Sequence, residues 1–469
     1  MLPFSPERTR AGLGAALEQP GVPRSFTAAD TDSRRVAKGG LFVAVQGSTP
    51  GEGYFDAALA AGAGGLAGRA FKPSVRRAAK RRGAWLFRVR DGLAALQALA
   101  ADQRRQMGGK VVALTGSNGK TGTKDLLAHL LAGEGEVLAT QGNFNNHLGV
   151  PLTLLRARPG QRFAVLEAGM NHAGELLALG RLILPDLAVE LNVGDAHAGF
   201  FKDGRRGVAR AKQELLQAMG PGGIAVVNAD DPYTVAMGRA FQGRVVSFGR
   251  SRGAALRLDA VDDRGAHGLT AWARWNAPLG GKPARLRVRL GRGGKAGWTQ
   301  AAASLAAALA LGCEPGALQR RLAGWAAPGK LRQELRPLPF GAKAILDAYN
   351  ASPQSMQAGL DYLARSARGG RKLAVLGCML ELGALAPALH RALGRQARAA
   401  GVRSLVALGE HAQEITRGFG GDAAALGAAQ AAEAAAWMRP RLAPGAWCLF
   451  KGSRGLAVER VYDALQGDR

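Results

Sequence analysis

Cysteine is scarce in this chain: Cys313, Cys378 and Cys448 are the whole complement of 469 residues, odd in number and without CxxC or Cys/His spacing. That pattern argues against a disulfide framework and against a zinc site, and buried thiols are the expectation. Long apolar runs are also missing, since no window approaches the roughly 20 uninterrupted apolar residues that span a bilayer. The opening MLPFSPERTR lacks the apolar centre of a secretory signal, so a cytoplasmic protein without membrane insertion is expected. Acidic residues are in short supply, 35 against 63 Lys and Arg, for a formal charge of +28. Such a balance attracts polyanions. Ala, Gly and Arg are abundant all along the chain, however, and the densest basic run, Arg76 to Arg82, reads as a solvated helix face. This weighs against a nucleic-acid partner and leaves small polyanionic substrates as suitable ligands.

What is present is the composition of a folded protein, 47% apolar and 21% charged. The length suggests two to four domains at roughly 100 to 200 residues each. Three are expected: residues 1–107, 108–327 and 328–469. From Lys110 onward, short Val/Leu/Ala runs ending in Gly or Asn alternate with Leu- and Ala-rich segments of helical period, the pattern of parallel α/β units. The fold class is therefore α/β. Strands are expected at Lys110 to Thr115, Phe163 to Glu167, Leu187 to Asn192, Ile224 to Asn228 and Val245 to Phe248, and a helix carrying Leu126, Leu127, Leu130 and Leu131 follows the first. Leu269 to Trp275 and Arg285 to Leu290 alternate apolar and polar residues, as half-exposed antiparallel strands do, and predict a small side sheet. Ala301 to Leu311 predicts a helix, and Ala326-Ala327-Pro328-Gly329 a linker. Beyond it, strands at Ala344 to Leu346, Leu373 to Leu376, Leu405 to Leu408 and Trp447 to Phe450 predict a Rossmann-like third unit, with a helix over the Ala-rich stretch Ala423 to Ala436. The first hundred residues, with Gly39 to Gly47 as a strand and turn, carry no phosphate loop of their own and suggest a docking unit.

The strongest chemical signal is Thr115-Gly116-Ser117-Asn118-Gly119-Lys120-Thr121, between a predicted strand and a helix. Such a loop aims backbone N–H groups and a helix N-terminus at phosphate oxygens, with Lys120 on the terminal phosphates and the Thr121 hydroxyl able to ligate Mg2+. Leu114 stands where the eight-residue form of this loop begins with glycine. Glu167 ends a strand of the same sheet, where a carboxylate can hold Mg2+ against the phosphates; the alternative is a surface glutamate after a strand. Taken alone, His197 is an ordinary loop histidine, Lys212 one helical lysine among many, and Asn228-Ala229-Asp230-Asp231 a plain Asx turn.

Several blocks together resemble the Mur ligase family, in particular its members that join D-alanyl-D-alanine to a UDP-muramoyl-tripeptide. The compact TGxxGKT loop is one of them. Asp30-Thr31-Asp32-Ser33-Arg34 with Gly40 to Ala44 looks like the uridine-nucleotide docking motif, and Gln141-Gly142-Asn143-Phe144-Asn145-Asn146-His147-Leu148-Gly149-Val150-Pro151 is similar to the GNxNNxIGxP block. Glu167 to His172 with Gly174-Glu175-Leu176, Asn228-Ala229-Asp230-Asp231, which resembles the family's NADD turn near the nucleotide, Asp347-Ala348-Tyr349-Asn350-Ala351-Ser352-Pro353 and Lys451-Gly452-Ser453-Arg454 match further blocks in order, so the resemblance covers nearly the whole chain.

The resemblance implies an ATP-dependent amide-bond ligase that works through an acyl phosphate, with small-molecule substrates and a monomeric chain. Lys120, His197, Lys212, Asn350, Lys451 and Arg454 would be catalytic. Residues 115–121 with Asn146, Gln300, Lys330 and Asp347 would bind ATP, and Ser33, Arg34, Asn143, Asn145, Tyr349, Asn350 and Ser453 would bind substrate. Two Mg2+ ions would be held by Thr121, Glu167, His197 and Lys212, the lysine bearing a carbamate. His390 falls at a family histidine position and reads as structural.

Departures from the family pattern are Cys378 for an expected aspartate, Ala296 for a histidine, Gln300 for an adenine-contacting asparagine, Lys330 for an arginine, and His197-Ala198-Gly199 for His-Leu-Glu. They keep open a paralogue that ligates a different amino acid or dipeptide to another carboxylate.

Overall fold

The computed structural model describes residues 4–26, 28–323, 325 and 331–467, apart from the side chains of Lys295 and Ala296. The expected Ala326 to Gly329 linker therefore lies outside the described residues.

Three sheets organise the chain. In the first, Ala16–Gln19, Trp85–Arg88, Gly65–Gly68, Leu41–Val43 and Ala29–Asp30 lie in that order, all parallel except the edge strand Ala16–Gln19. The second holds the phosphate loop. Its strand Lys110–Thr115 runs parallel between Phe163–Glu167 and Leu187–Glu190, so three strand ends open at one sheet edge. Helix Lys120–Ala132 follows and buries Leu126, Leu127, Leu130 and Leu131 against the sheet, each 1% exposed or less. Each such burial contributes about 2 kcal/mol.

The antiparallel strands Leu269–Trp275 and Ala284–Leu290 form where their alternation places them, with Leu269, Ala271, Ala273 and Trp275 inward. They do not make a separate sheet. Leu256–Asp263 pairs with Arg244–Gly249 on one side and Leu269–Trp275 on the other, which joins them to the parallel strands in one nine-stranded sheet. That connecting strand has no local signature in the sequence, because its outer half alternates only between half-buried and exposed positions.

The third sheet runs Glu334–Pro337, Lys343–Asp347, Trp447–Lys451, Lys372–Gly377, Val402–Leu408 and Asp422–Leu426, parallel except for the first strand. Here the Ala-rich helix expected over 423–436 is corrected. Asp422–Leu426 is an edge strand paired with Val402–Leu408, and the helix is confined to Ala431–Met438. Pairing with a preformed sheet edge outweighs the few tenths of a kcal/mol by which alanine prefers helix. Helix Pro353–Ser366 packs on this sheet and carries the turn Gly265–His267 of the second, fixed by the Ser366 hydroxyl, which accepts from Ala266 N at 2.8 Å.

Candidate active site

Gly119 takes φ +88° at the start of helix Lys120–Ala132, a conformation that favours glycine. This turns the chain so that the first N–H groups of the helix face outward from the sheet edge. The loop is clamped from the neighbouring strand end: Asn118 N donates to Asn192 Oδ1 at 3.0 Å, Asn192 Nδ2 returns a bond to Asn118 O at 2.9 Å, and Gly194 N donates to Ser117 Oγ at 2.8 Å. The loop conformation is thus preorganised by residues some 75 positions away in sequence.

Lys120 Nζ donates to Gly116 O at 2.7 Å, inside the arc of its own loop. Burial pushes its ammonium below the usual lysine range, with Glu167 pulling the other way. Thr121 Oγ1 donates to Glu167 Oε2 at 2.9 Å, and Asn145 Nδ2 donates to Glu167 Oε1 at 2.8 Å. Glu167 is 2% exposed and its backbone N–H donates to Thr140 Oγ1 at 3.0 Å, so its carboxylate is fixed in place. A hydroxyl and a carboxylate at this separation are a hard-oxygen pair of the kind Mg2+ uses when phosphates and water complete its shell. No cluster of three or more His, Cys, Asp or Glu stands ready as an all-protein metal cage among the described residues.

Behind the loop, Lys212 on helix Arg205–Gln217 is 2% exposed, and burial, reinforced by Lys120, pushes its amine down to about 7. Glu190 ends strand Leu187–Glu190, opposite Thr115 in register. Burial pushes Glu190 up to about 8, with Lys212 pulling the other way, and its carboxyl oxygens and the Thr115 hydroxyl are without hydrogen-bond partners among the described residues.

The third sheet supplies the opposite wall. Asp347, Tyr349 and Asn350 leave strand Lys343–Asp347, and Lys451 ends the adjacent strand, with its Nζ 2.7 Å from Asp347 Oδ2 and 3.1 Å from Asn350 O. The guanidinium of Arg332 stacks 3.9 Å above the Tyr349 ring. Among the contacts that bind this wall to the phosphate loop side are two close to the loop itself. Ser352, the N-cap of helix Pro353–Ser366, donates from Oγ to Asn118 Oδ1 at 3.1 Å, and Gln354 holds Asp195, which Arg205 also grips with two bonds at 2.9 and 2.5 Å. Between the walls lies a cavity of about 890 Å³.

The cavity brings together Ser117, Asn118, Gly119, Lys120, Thr121, Asn143, Asn145, Asn146, Glu167, His197, Lys212, Gln300, Asp347, Tyr349, Asn350 and Lys451. Gln300 lies against the loop, where a Cβ on Gly122 would stand 2.4 Å from its Nε2. Asn146 Oδ1 is occupied in accepting from Gly149 N at 2.9 Å.

Other expected residues are placed elsewhere. Thr115 and Gly116 lie beneath the loop and outside the cavity lining. Ser453 and Arg454 are also outside it: Ser453 Oγ accepts from Leu380 N at 3.2 Å, and Arg454 is paired with Glu459. Ser33 is buried, while Arg34 projects to solvent and forms a double bond-pair with Asp32, whose carboxyl that guanidinium holds down at about 2. The neighbouring Arg35, which the sequence did not single out, reaches the central block, 5.1 Å from the Phe144 ring. Lys330 lies outside the described residues, whereas Arg332, two positions on and unforeseen, lines the cavity.

His390 is buried and accepts from Met379 N at 2.8 Å, a structural placement. Asp231 caps helix Pro232–Ala240 and also accepts from Val193 N at 2.9 Å, while Asp230 binds the backbone of 250 and 251. Residues 228–231 form an Asx turn that holds the His197 loop, and Asn228, Asp230 and Asp231 also line the cavity. Glu190 carried a signal that could have been read, an ionisable residue inside the apolar run of a central strand.

Residues 114–272 match the model of the Mur ligase middle domain, and residues 332–454 that of the Mur ligase glutamate ligase domain. The UDP-N-acetylmuramoyl-tripeptide–D-alanyl-D-alanine ligase of Mycobacterium tuberculosis is 37% identical, over 93% of this chain and 91% of its own. Among solved structures, MurF from Acinetobacter baumannii superposes with a TM-score of 0.87 at 28% identity, covering 99% of both chains. MurF from Thermotoga maritima in complex with ADP superposes at 0.79 and 27% identity, covering 94% of this chain and 97% of that one.

Proposed function

The chain belongs to the Mur ligase family, and from that premise we propose that it joins D-alanyl-D-alanine to UDP-N-acetylmuramoyl-tripeptide at the expense of ATP, in the cytoplasm. The observation that carries this reading is the two-walled cavity: Lys120, Thr121 and Glu167 on one side face Asp347, Tyr349, Asn350 and Lys451 on the other.

The reaction needs two transfers at one place. A substrate carboxylate oxygen attacks the γ-phosphorus of ATP, the bond to the β,γ-bridging oxygen breaks, and ADP leaves. The amine of the dipeptide then attacks the acyl carbon, the C–O bond to phosphate breaks, and the amine gives up a proton. No covalent enzyme intermediate is required; positioning and charge stabilisation are. Lys120 neutralises charge on the transferring group. Thr121 and Glu167 fit Mg2+, which when bound would offset phosphate charge. The bonds Ser352–Asn118 and Gln354–Asp195 join the two walls, and closure of the walls would limit loss of the acyl phosphate to water.

Lys212 fits a carbamate. A neutral amine is the form that adds CO2, with an Nζ–C bond made, one C–O π bond opened and the amine proton lost, and burial favours the neutral amine here. His197 and the modified Lys212, both on the cavity wall, would hold a second Mg2+. All these groups come from one chain, so a monomer suffices.

The test is phosphate release from ATP with UDP-muramoyl-tripeptide and D-Ala-D-Ala, each omitted in turn, beside Lys120→Ala. Release that needs both substrates, with the pentapeptide product seen by mass spectrometry, is expected. No turnover with either common tripeptide would overturn the assignment and favour a different carboxylate and amine.

A further inference from the structure

His197 is held by a residue from the opposite wall. Its Nδ1 donates to Glu381 Oε2 at 2.8 Å, although the two are separated by 184 residues. Both take left-handed backbone conformations, φ +65° for His197 and +62° for Glu381, so each side chain is presented at a turn tip. The approach depends on a small residue. Gly199 stands where the family pattern has glutamate, and a Cβ there would lie 2.8 Å from the Glu381 backbone oxygen. Phe200 lies roughly parallel to the imidazole and offset from it, at 20°, with ring centroids 6.5 Å apart.

The ring is thus held on its Nδ1 edge, with Phe200 alongside. Its Nε2 has no hydrogen bond among the described residues, and His197 lines the cavity while Glu381 lies outside the lining. A carboxylate on Nδ1–H sets the tautomer that leaves Nε2 with its lone pair free, the arrangement found behind histidine metal ligands.

We propose that Glu381 is the positioning residue of His197, so that the histidine becomes competent to bind metal only when the 377–385 segment is seated against the turn that carries His197 and Gly199. The inference rests on the reading of His197 as a ligand. It makes Glu381 a coupling element: wall closure and assembly of the metal site are one event, and phosphoryl transfer awaits the seated state.

The test uses the full chain with Mn2+ and a non-hydrolysable ATP analogue. In the wild type, pulsed electron paramagnetic resonance should show histidine nitrogen coupling to Mn2+, lost in His197→Ala. Glu381→Ala should weaken Mn2+ binding about 10-fold or more, reduce the nitrogen coupling and lower kcat with little change in the KM for ATP; Glu381→Gln should restore part of each. Equal Mn2+ affinity and coupling in wild type, Glu381→Gln and Glu381→Ala would overturn the role of Glu381. Absence of histidine coupling in the wild type would instead overturn the reading of His197 itself.

Discussion

Lys451 and Asp347, which end adjacent strands opposite one another in register, form a buried pair 2.7 Å apart at the floor of the cavity. The lysine side chain is 3% exposed and the aspartate 16%. The pair presents one neutral, rigid unit, and Asn350 O shares the same ammonium.

Removing one partner leaves an uncompensated charge. Lys451→Met should cost on the order of 3 kcal/mol of stability, and adding Asp347→Leu should recover most of it. Urea midpoints of the single and double variants measure this; a single variant as stable as the wild type would contradict the pairing.

Glu167→Gln keeps shape and removes the charge beside Thr121. ADP binding without Mg2+ should be unchanged, while the Mg2+ needed to tighten it should rise about 10-fold. Calorimetric titrations at graded Mg2+ decide the matter, and an unaltered Mg2+ dependence would remove Glu167 from the proposed metal site.

Lys120→Ala tests the proposed role of this cation in neutralising the transferring phosphoryl group. The loss in kcat should be about 100- to 1000-fold, with an unfolding midpoint close to the wild type because the loop is held by Asn192 rather than by Lys120. Steady-state phosphate release provides the measure.

Glu190 predicts a pH-dependent stability. The unfolded chain loses this proton near the ordinary 4.5, the folded chain only near 8, so the folded state binds more protons in between. Its contribution to stability is complete below 4.5 and is lost as pH rises through 8. Glu190→Gln cannot ionise, so its melting temperature relative to wild type should climb from pH 5 to pH 8. A constant difference across that window would refute the buried acid.

Gly199→Val should unseat the 377–385 segment, since its side chain meets the Glu381 backbone at 2.8 Å. Faster hydrogen exchange in that segment, with exchange in strand Lys110–Thr115 unchanged, is the expected signature.

Much of this was legible in the residues. Local rules suffice for a glycine loop between an apolar strand and a leucine-faced helix, and the strands Lys110–Thr115, Phe163–Glu167, Ile224–Asn228 and Leu269–Trp275 begin and end where their patterns do. The motif blocks also named many of the cavity's polar and charged residues, Lys120, Glu167, Lys212 and Asp347 among them. Asp422–Leu426 was misread as helix because five residues of mostly alanine carry no strand signal of their own.

By itself, the sequence determined the glycine loop between strand and helix, the α/β grammar and the presence of a lysine, a hydroxyl and a carboxylate at Lys120, Thr121 and Glu167, since these depend on residue type and near neighbours. Only the tertiary structure decided that Asn192 clamps the loop, that Arg332 stacks on Tyr349, that Lys451 is spent on Asp347, and that Glu381 reaches His197. Each of those contacts joins chain segments between 17 and 184 residues apart. Hydrogen bonds and ion pairs act over a few ångströms, so which distant side chains come within reach is set by how the sheets pack, and no local pattern encodes it.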